Sequence, residues 1–401
     1  MSESMSTRTL TACTATAFTP KICYNKRMGI KELEERVGQL TDKRRTSHGN
    51  IRHKLVDIVM AGFMAVLCGG ETFEDMETFT HMRLEWLREK ANLGFANGVP
   101  DSDTFRRVFE FLDPKELANC LWGWLDFERE ARSVVGIDGK TARGSANSKH
   151  SAFHIVTAFI AESQITLGEV VTDEKSNEIT AVPELLKIID VKGDIVTADA
   201  MSCQKEIVET IVKKGADYTI ALKGNQPMLE AETREWFETF RESLPVLRTD
   251  DIGHGRIEHR EYRLLTDISW LDKRGEWVSL RGIGMARSRV IEKKTGGETV
   301  CERYFITSLT SLEEFAYSVR KHWSIENQLH WRLDVIFRED ASKAKKENSP
   351  LNLNVLRKVS ISLLNQFKAR QTKKRLSMNR LRYMCALCCD QLFSALFPEI
   401  K

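Results

Sequence analysis

Apolar positions in the first third of the chain follow a helical rhythm. The run Ile58–Cys68 is almost continuously apolar, and Phe73, Met76, Phe79, Met82 and Trp86 follow at three- and four-residue intervals. At eleven residues, 58–68 is shorter than the roughly 20 a membrane span needs, so it predicts a buried helix. Val99-Pro-Asp-Ser102 supplies a break and a cap, starting a helix that carries Arg106 and Arg107, a pattern open to helix-turn-helix contact with DNA or to plain packing.

Near Ser133 the period changes from helical to alternating. Three short β-rich runs, at Ser133–Gly139, His154–Ile160 and Ile165–Val171, read as an antiparallel set. A helical stretch over Glu178–Ile189 leads to a strand at Asp194–Asp199. Another, over Cys203–Lys214, leads to a strand at Tyr218–Leu222. The order βββαβαβ predicts an α/β fold, a mixed sheet flanked by helices. Residues 228–300 interrupt it with a helix around Trp236 and then alternating charged and β-forming residues, a β-rich insertion. Ser311-Leu-Glu-Glu314 has capping-box spacing and predicts a long helix running past Ile336. The expected divisions are a disordered tail at 1–28, an N-terminal helical domain at 29–131, a core at 132–227 and 301–366 split by the 228–300 insertion, and a basic C-terminal helix at 367–401.

A length of 401 residues suits two or three domains, and 42% hydrophobic with 29% charged residues excludes wholesale disorder. The net charge of +3 says little, but its distribution says more: Lys343–Arg382 holds twelve Lys or Arg against the single acid Glu347, suggesting a polyanionic partner. Nine scattered cysteines fit reduced thiols, and Cys385-Ala-Leu-Cys388-Cys389, lacking a second Cys/His pair, reads as buried helix and not as a zinc site. No secretory signal is legible in 1–20, so a cytoplasmic protein is expected.

Three acids carry the chemistry. Phe315, Val319, His322, Glu326, Leu329, Leu333 and Ile336 form one helical stripe, with Glu326 in its middle. An acid on an apolar stripe needs a cation, which a neighbouring Arg or Lys or a metal could supply. Asp138 and Asp199 each end a strand-forming run and precede a small residue, Gly139 or Ala200. Asp at a strand end is often only a turn former. Two on strands able to pair, under a helix bearing a third acid, favour one shared site. An all-carboxylate set selects Mg2+ or Mn2+, and two such ions can run phosphodiester displacement. His322, Glu326 and His330 fall at i, i+4 and i+8, which is not the HExxH spacing of zinc proteases.

Asp138-Gly-Lys-Thr, Asp173–Leu186, Thr197–Lys205, Ala221–Gln226, Gly253–Arg256 and His322–Val335, in this order, closely resemble the H repeat-associated group of bacterial insertion-sequence transposases over residues 50–366. The resemblance implies a DDE transposase with an RNase H-like catalytic core, a β-rich insertion before the last catalytic helix, and Asp138, Asp199 and Glu326 as catalytic acids holding two Mg2+ or Mn2+ ions. It also implies DNA partners, namely terminal inverted repeats and target DNA, bound by a homodimer in the bacterial cytoplasm, at the nucleoid. The broader DDE group carries Tyr, Arg and Lys at set spacing around the last acid; here those places hold Val319, His322 and Leu333. Candidates for DNA contact are Lys140, Lys223, Asn225, Gln226, Arg320, Lys321, His322, Trp323 and Asn327. A nuclease without strand transfer and a catalytically silent DNA binder are the alternative readings.

Overall fold

The computed structural model describes residues 30–44, 51–125, 132–148, 151–172, 178–253, 255–371 and 376–396. The tail expected over 1–28, the start of the 173–186 run, His254 and the basic residues 373–375 lie outside them.

Six helices come first: α1 (Ile30–Gly38), α2 (Leu55–Cys68), α3 (Phe73–Met82), α4 (Leu84–Glu89), α5 (Ser102–Phe111) and α6 (Pro114–Trp124). The apolar run became α2, whose residues 57–67 are buried on every side. Polar caps start three of the others: Thr72 and Asp75 form a capping box on α3, and the Asp101 and Asp113 carboxylates accept N–H groups at the starts of α5 and α6.

The core then alternates as expected: β1 (Val134–Thr141), β2 (His154–Ile160), β3 (Ile165–Thr172), α7 (Glu178–Ile188), β4 (Ile195–Ala198), α8 (Lys205–Lys213) and β5 (Asp217–Leu222). β1, β2 and β3 pair antiparallel, while β4 joins β1, and β5 joins β4, in parallel. The next segment holds α9 (Pro227–Phe240), β6 (Leu247–Gly253), β7 (Arg256–Leu265), β8 (Gly282–Glu292) and β9 (Glu298–Thr307). Its strands do not form a sheet of their own. β9 pairs antiparallel with β5, giving one nine-stranded sheet in the order β3-β2-β1-β4-β5-β9-β8-β7-β6. The fold is thus a mixed α/β sheet with flanking helices and an N-terminal helical region.

The last strand leads into α10 (Leu312–His322), capped by the Ser311 hydroxyl. The single long helix expected here is interrupted. A turn at Trp323 precedes a π-helical turn, Glu326–His330, closed by the Trp331 amide donating to the Glu326 carbonyl, and α11 (Trp331–Val335) follows. The extra residue in a π-turn shifts the phase of the stripe. Ile325, not Glu326, takes the buried position between Val319 and Leu329, and Glu326 turns outward.

The C-terminal segment corrects a second expectation. Helix α12 (Ser349–Ala369) precedes two short helices, α13 (Met378–Leu387) and α14 (Cys389–Leu396), in place of one. All three pack into the same apolar core as the N-terminal helices. Several of the basic residues counted toward a polyanion are interior. Arg357 lies near Glu339, and Lys358 donates to Thr157 Oγ1 (2.8 Å) and Glu169 Oε2 (2.5 Å). Arg382 donates to the carbonyls of Ile336 and Val66 and stacks on Phe337. Lys358 thereby ties α12 to β2 and β3, and all three have partners inside the protein, because a buried cation persists only where it is paired. Cys385 is buried among these helices, but Cys388 is exposed in extended backbone between α13 and α14, so the buried helix expected over Cys385–Cys389 is broken there.

Candidate active site

β1 and β4 lie side by side, with Ile137 opposite Ala198 as the last paired residues. Asp138 and Asp199 are the next residue on each strand, so parallel pairing brings both acids to neighbouring strand ends. Strand alternation gives Gly136 the same face as Asp138, and Thr197 that of Asp199. The helix bearing Glu326 is seated on that face. His322 Nδ1 is 3.1 Å from Thr197 Oγ1, and Gly136 has no side chain to hold Ile325 away. Glu326, one residue on, is carried over the strand ends, and His330, at the other end of the π-turn, brings Nδ1 to 3.5 Å from Asp138 Oδ2.

Asp138 senses both of the other carboxylates. Asp138 is pushed up to about 7, first by burial, then by the charge of Glu326, with Asp199 and Glu178 adding to it and a hydrogen bond from the Gly139 amide opposing it. Burial also raises Glu326, against a downward pull from Arg303. The Asp199 carboxylate caps the turn after β4, with the Ser202 amide 3.3 Å from Oδ1. Among the described residues no three acidic, histidine or cysteine side chains are already drawn up as a closed ligand set for one ion. The donor chemistry still suits a hard cation: all oxygen, clustered at the strand ends, with Asp138 not fully ionised near neutral pH until positive charge is added.

The expected DNA contacts divide by location. Arg320, Trp323 and Asn327 line a groove of about 860 Å³ beside Glu326. Lys321 lies against the Tyr317 ring. His322, beneath the helix, is held at about 4 by burial and the Arg303 charge, so it is neutral at pH 7. Lys140 Nζ is 2.8 Å from both Asp334 and Glu339, an ion cluster that already balances its charge. Asn225 and Gln226 donate to the carbonyls of Ala200 and Cys203 and so brace the turn carrying Asp199. Lys223 is exposed at the end of β5.

Sequence reasoning missed most of the groove. Arg256, Glu258, Arg260 and Tyr262 are alternate residues of β7, and with Arg303 on β9, which shares a face with Tyr262 through Ala286, they face the helix. Four arginines, counting Arg320, stand against the single lining acid Glu258, and Trp331, 52% exposed, lines the groove as well. The alternation along β7 was the available signal. His330 was set aside with the protease spacing, and no periodicity marks its approach to Asp138.

The family described as "Transposase DDE domain" matches residues 129–363, and one described as "DDE_Tnp_1-associated" matches residues 35–125. The chain is 35% identical over 370 residues to the "H repeat-associated putative transposase YhhI" of Escherichia coli (strain K12), covering 88% of this chain and 97% of that relative. It is 35% identical over 375 residues to the "Putative transposase YncI" of Escherichia coli O157:H7, covering 88% and 93%. Among the described residues no single helix is long and apolar enough to cross a membrane.

Proposed function

This chain belongs to the H repeat-associated group of the DDE transposase family, and from that premise we propose that it cuts DNA at the ends of an insertion sequence and joins the freed ends to target DNA. The observation that supports this best is the parallel pairing of β1 and β4, which sets Asp138 and Asp199 side by side beneath the turn that carries Glu326. The RNase H-like core of the family supplies the frame, and the carboxylates fit divalent Mg2+ or Mn2+, two ions in this reading. When bound, such ions polarise the attacking oxygen and neutralise the leaving oxygen of an in-line displacement.

Asp138, Asp199 and Glu326 hold that charge in place. His330 orients Asp138, and the arginine groove with Trp323, Asn327 and Trp331 holds the DNA backbone across the insertion strands. In the first step water attacks phosphorus, the P–O3′ bond breaks, and a 3′ hydroxyl leaves. In the second that hydroxyl attacks a target phosphodiester, forming one P–O bond and breaking another, with no outside energy source. A homodimer acting on paired terminal repeats in the cytoplasm, at the nucleoid, completes the reading.

The test incubates the protein with a labelled element end, a target plasmid and Mg2+ or Mn2+. Cleaved and joined products, lost in Asp138→Asn, are expected. Nicks without joining would mark a nuclease, and binding without cleavage, unchanged by Asp138→Asn, would mark a silent DNA binder.

A further inference from the structure

We infer that Arg303, presented by strand β9, is a catalytic residue that grips a non-bridging oxygen of the phosphodiester cut at Glu326. The inference rests on the catalytic reading above and assigns a role to a residue outside the acid set. Arg303 is an exposed groove residue on the helix-facing side of β9, beside Phe305, which packs against Phe315 of α10. Its guanidinium lies over the Trp323 ring, 4.7 Å from the centroid, and Trp323 is three residues before Glu326. Stacking fixes the plane of a guanidinium while leaving its N–H edge available.

The neighbouring groove arginines are held by carboxylates: Arg256 by Glu258, and Arg260 and Arg320 by Asp251. Among the described residues Arg303 forms no ion pair, yet its charge reaches both His322 and Glu326. A preorganised cation, unquenched and beside the acid, is what a phosphodiester gaining negative charge in the transition state requires. Position 322, where the broader DDE group carries arginine, holds a histidine that is neutral at pH 7 and buried against Thr197. Arg303 approaches the same place from the sheet side, so the insertion strand supplies the guanidinium that the helix lacks.

The test separates rate from binding. Single-turnover cleavage of a labelled element end is measured at saturating DNA in Mg2+, and the dissociation constant for the same DNA is measured in EDTA, for wild type, Arg303→Ala, Arg303→Lys and Asp138→Asn. For Arg303→Ala the rate at saturation should fall about 100- to 1000-fold, as for loss of one transition-state donor. The dissociation constant should rise less than about tenfold, as for one lost phosphate contact. Arg303→Lys, which keeps the charge without the planar fork, should recover part of the rate. An Arg303→Ala rate within about threefold of wild type, or a loss confined to the dissociation constant, overturns the inference while leaving the acid site standing if Asp138→Asn is dead. Should wild type fail to cut, or Asp138→Asn cut as well as wild type, the catalytic reading falls and the inference with it.

Discussion

Asp138 makes a thermodynamic prediction that needs no DNA. Its carboxyl ionises at about 7 in the folded protein against an ordinary 3.8, so the folded state holds a proton that the unfolded chain has released. The sign follows: stability contributed by this group is complete below 3.8, is lost as pH rises to about 7, and is flat above. Each pH unit in that window is worth about 1.4 kcal/mol. Between pH 5 and pH 8 the wild type should therefore lose up to about 3 kcal/mol that Asp138→Asn, with nothing to ionise, does not lose. Urea unfolding of both proteins in EDTA at the two pH values measures it, and taking the difference between the proteins cancels the titration of every group the substitution leaves untouched. Asp138→Asn should gain on wild type by about 3 kcal/mol on going from pH 5 to pH 8. Adding Mn2+ at pH 8 should then stabilise the wild type and leave the variant nearly unmoved. A stability gap that does not change with pH, or equal stabilisation of both proteins by Mn2+, would refute the account of a charge-crowded carboxylate awaiting a cation.

Four further outcomes follow from the packing and the site. His330→Ala should weaken Mn2+ binding by the metal-free protein about 10- to 100-fold, as loss of a residue that orients a ligand does, and His330→Asn, which keeps an N–H, should restore part of it; titration followed by water-proton relaxation reads the constant. Arg256→Ala with Arg320→Ala should flatten the slope of log affinity for DNA against log salt by less than about two, since Glu258 and Asp251 already neutralise part of each charge, whereas Arg382→Ala should lower the unfolding midpoint because its partners are the carbonyls of Ile336 and Val66. Gly139→Ala places a Cβ against the buried His154–Glu178 pair and should cost about 1 to 3 kcal/mol in urea unfolding, the range for overpacking.

What the sequence determined by itself is local. Strand and helix periods are set by neighbours a few residues apart, so βββαβαβ, the apolar α2, the capped start of α10 and the three acids were all legible in order. The insertion was legible as β-rich, but its union with the core sheet depends on β9 pairing with β5, more than eighty residues earlier in the chain, and periodicity carries no information about which strand a strand will meet. Charge showed the same limit. Twelve cations within forty residues read as a DNA face, yet Arg357, Lys358 and Arg382 turn inward to partners on other elements, and the cationic groove is assembled from arginines spread over β7, β9 and α10. The phase slip that turns Glu326 outward arises from a π-turn of one extra residue, seated by contacts to Gly136 and Thr197 on two separate strands. Residue type and spacing named the acids. Only the packing of distant segments decided which way they face and which cations stand beside them, because burial and pairing energies depend on neighbours in space that spacing along the chain does not specify.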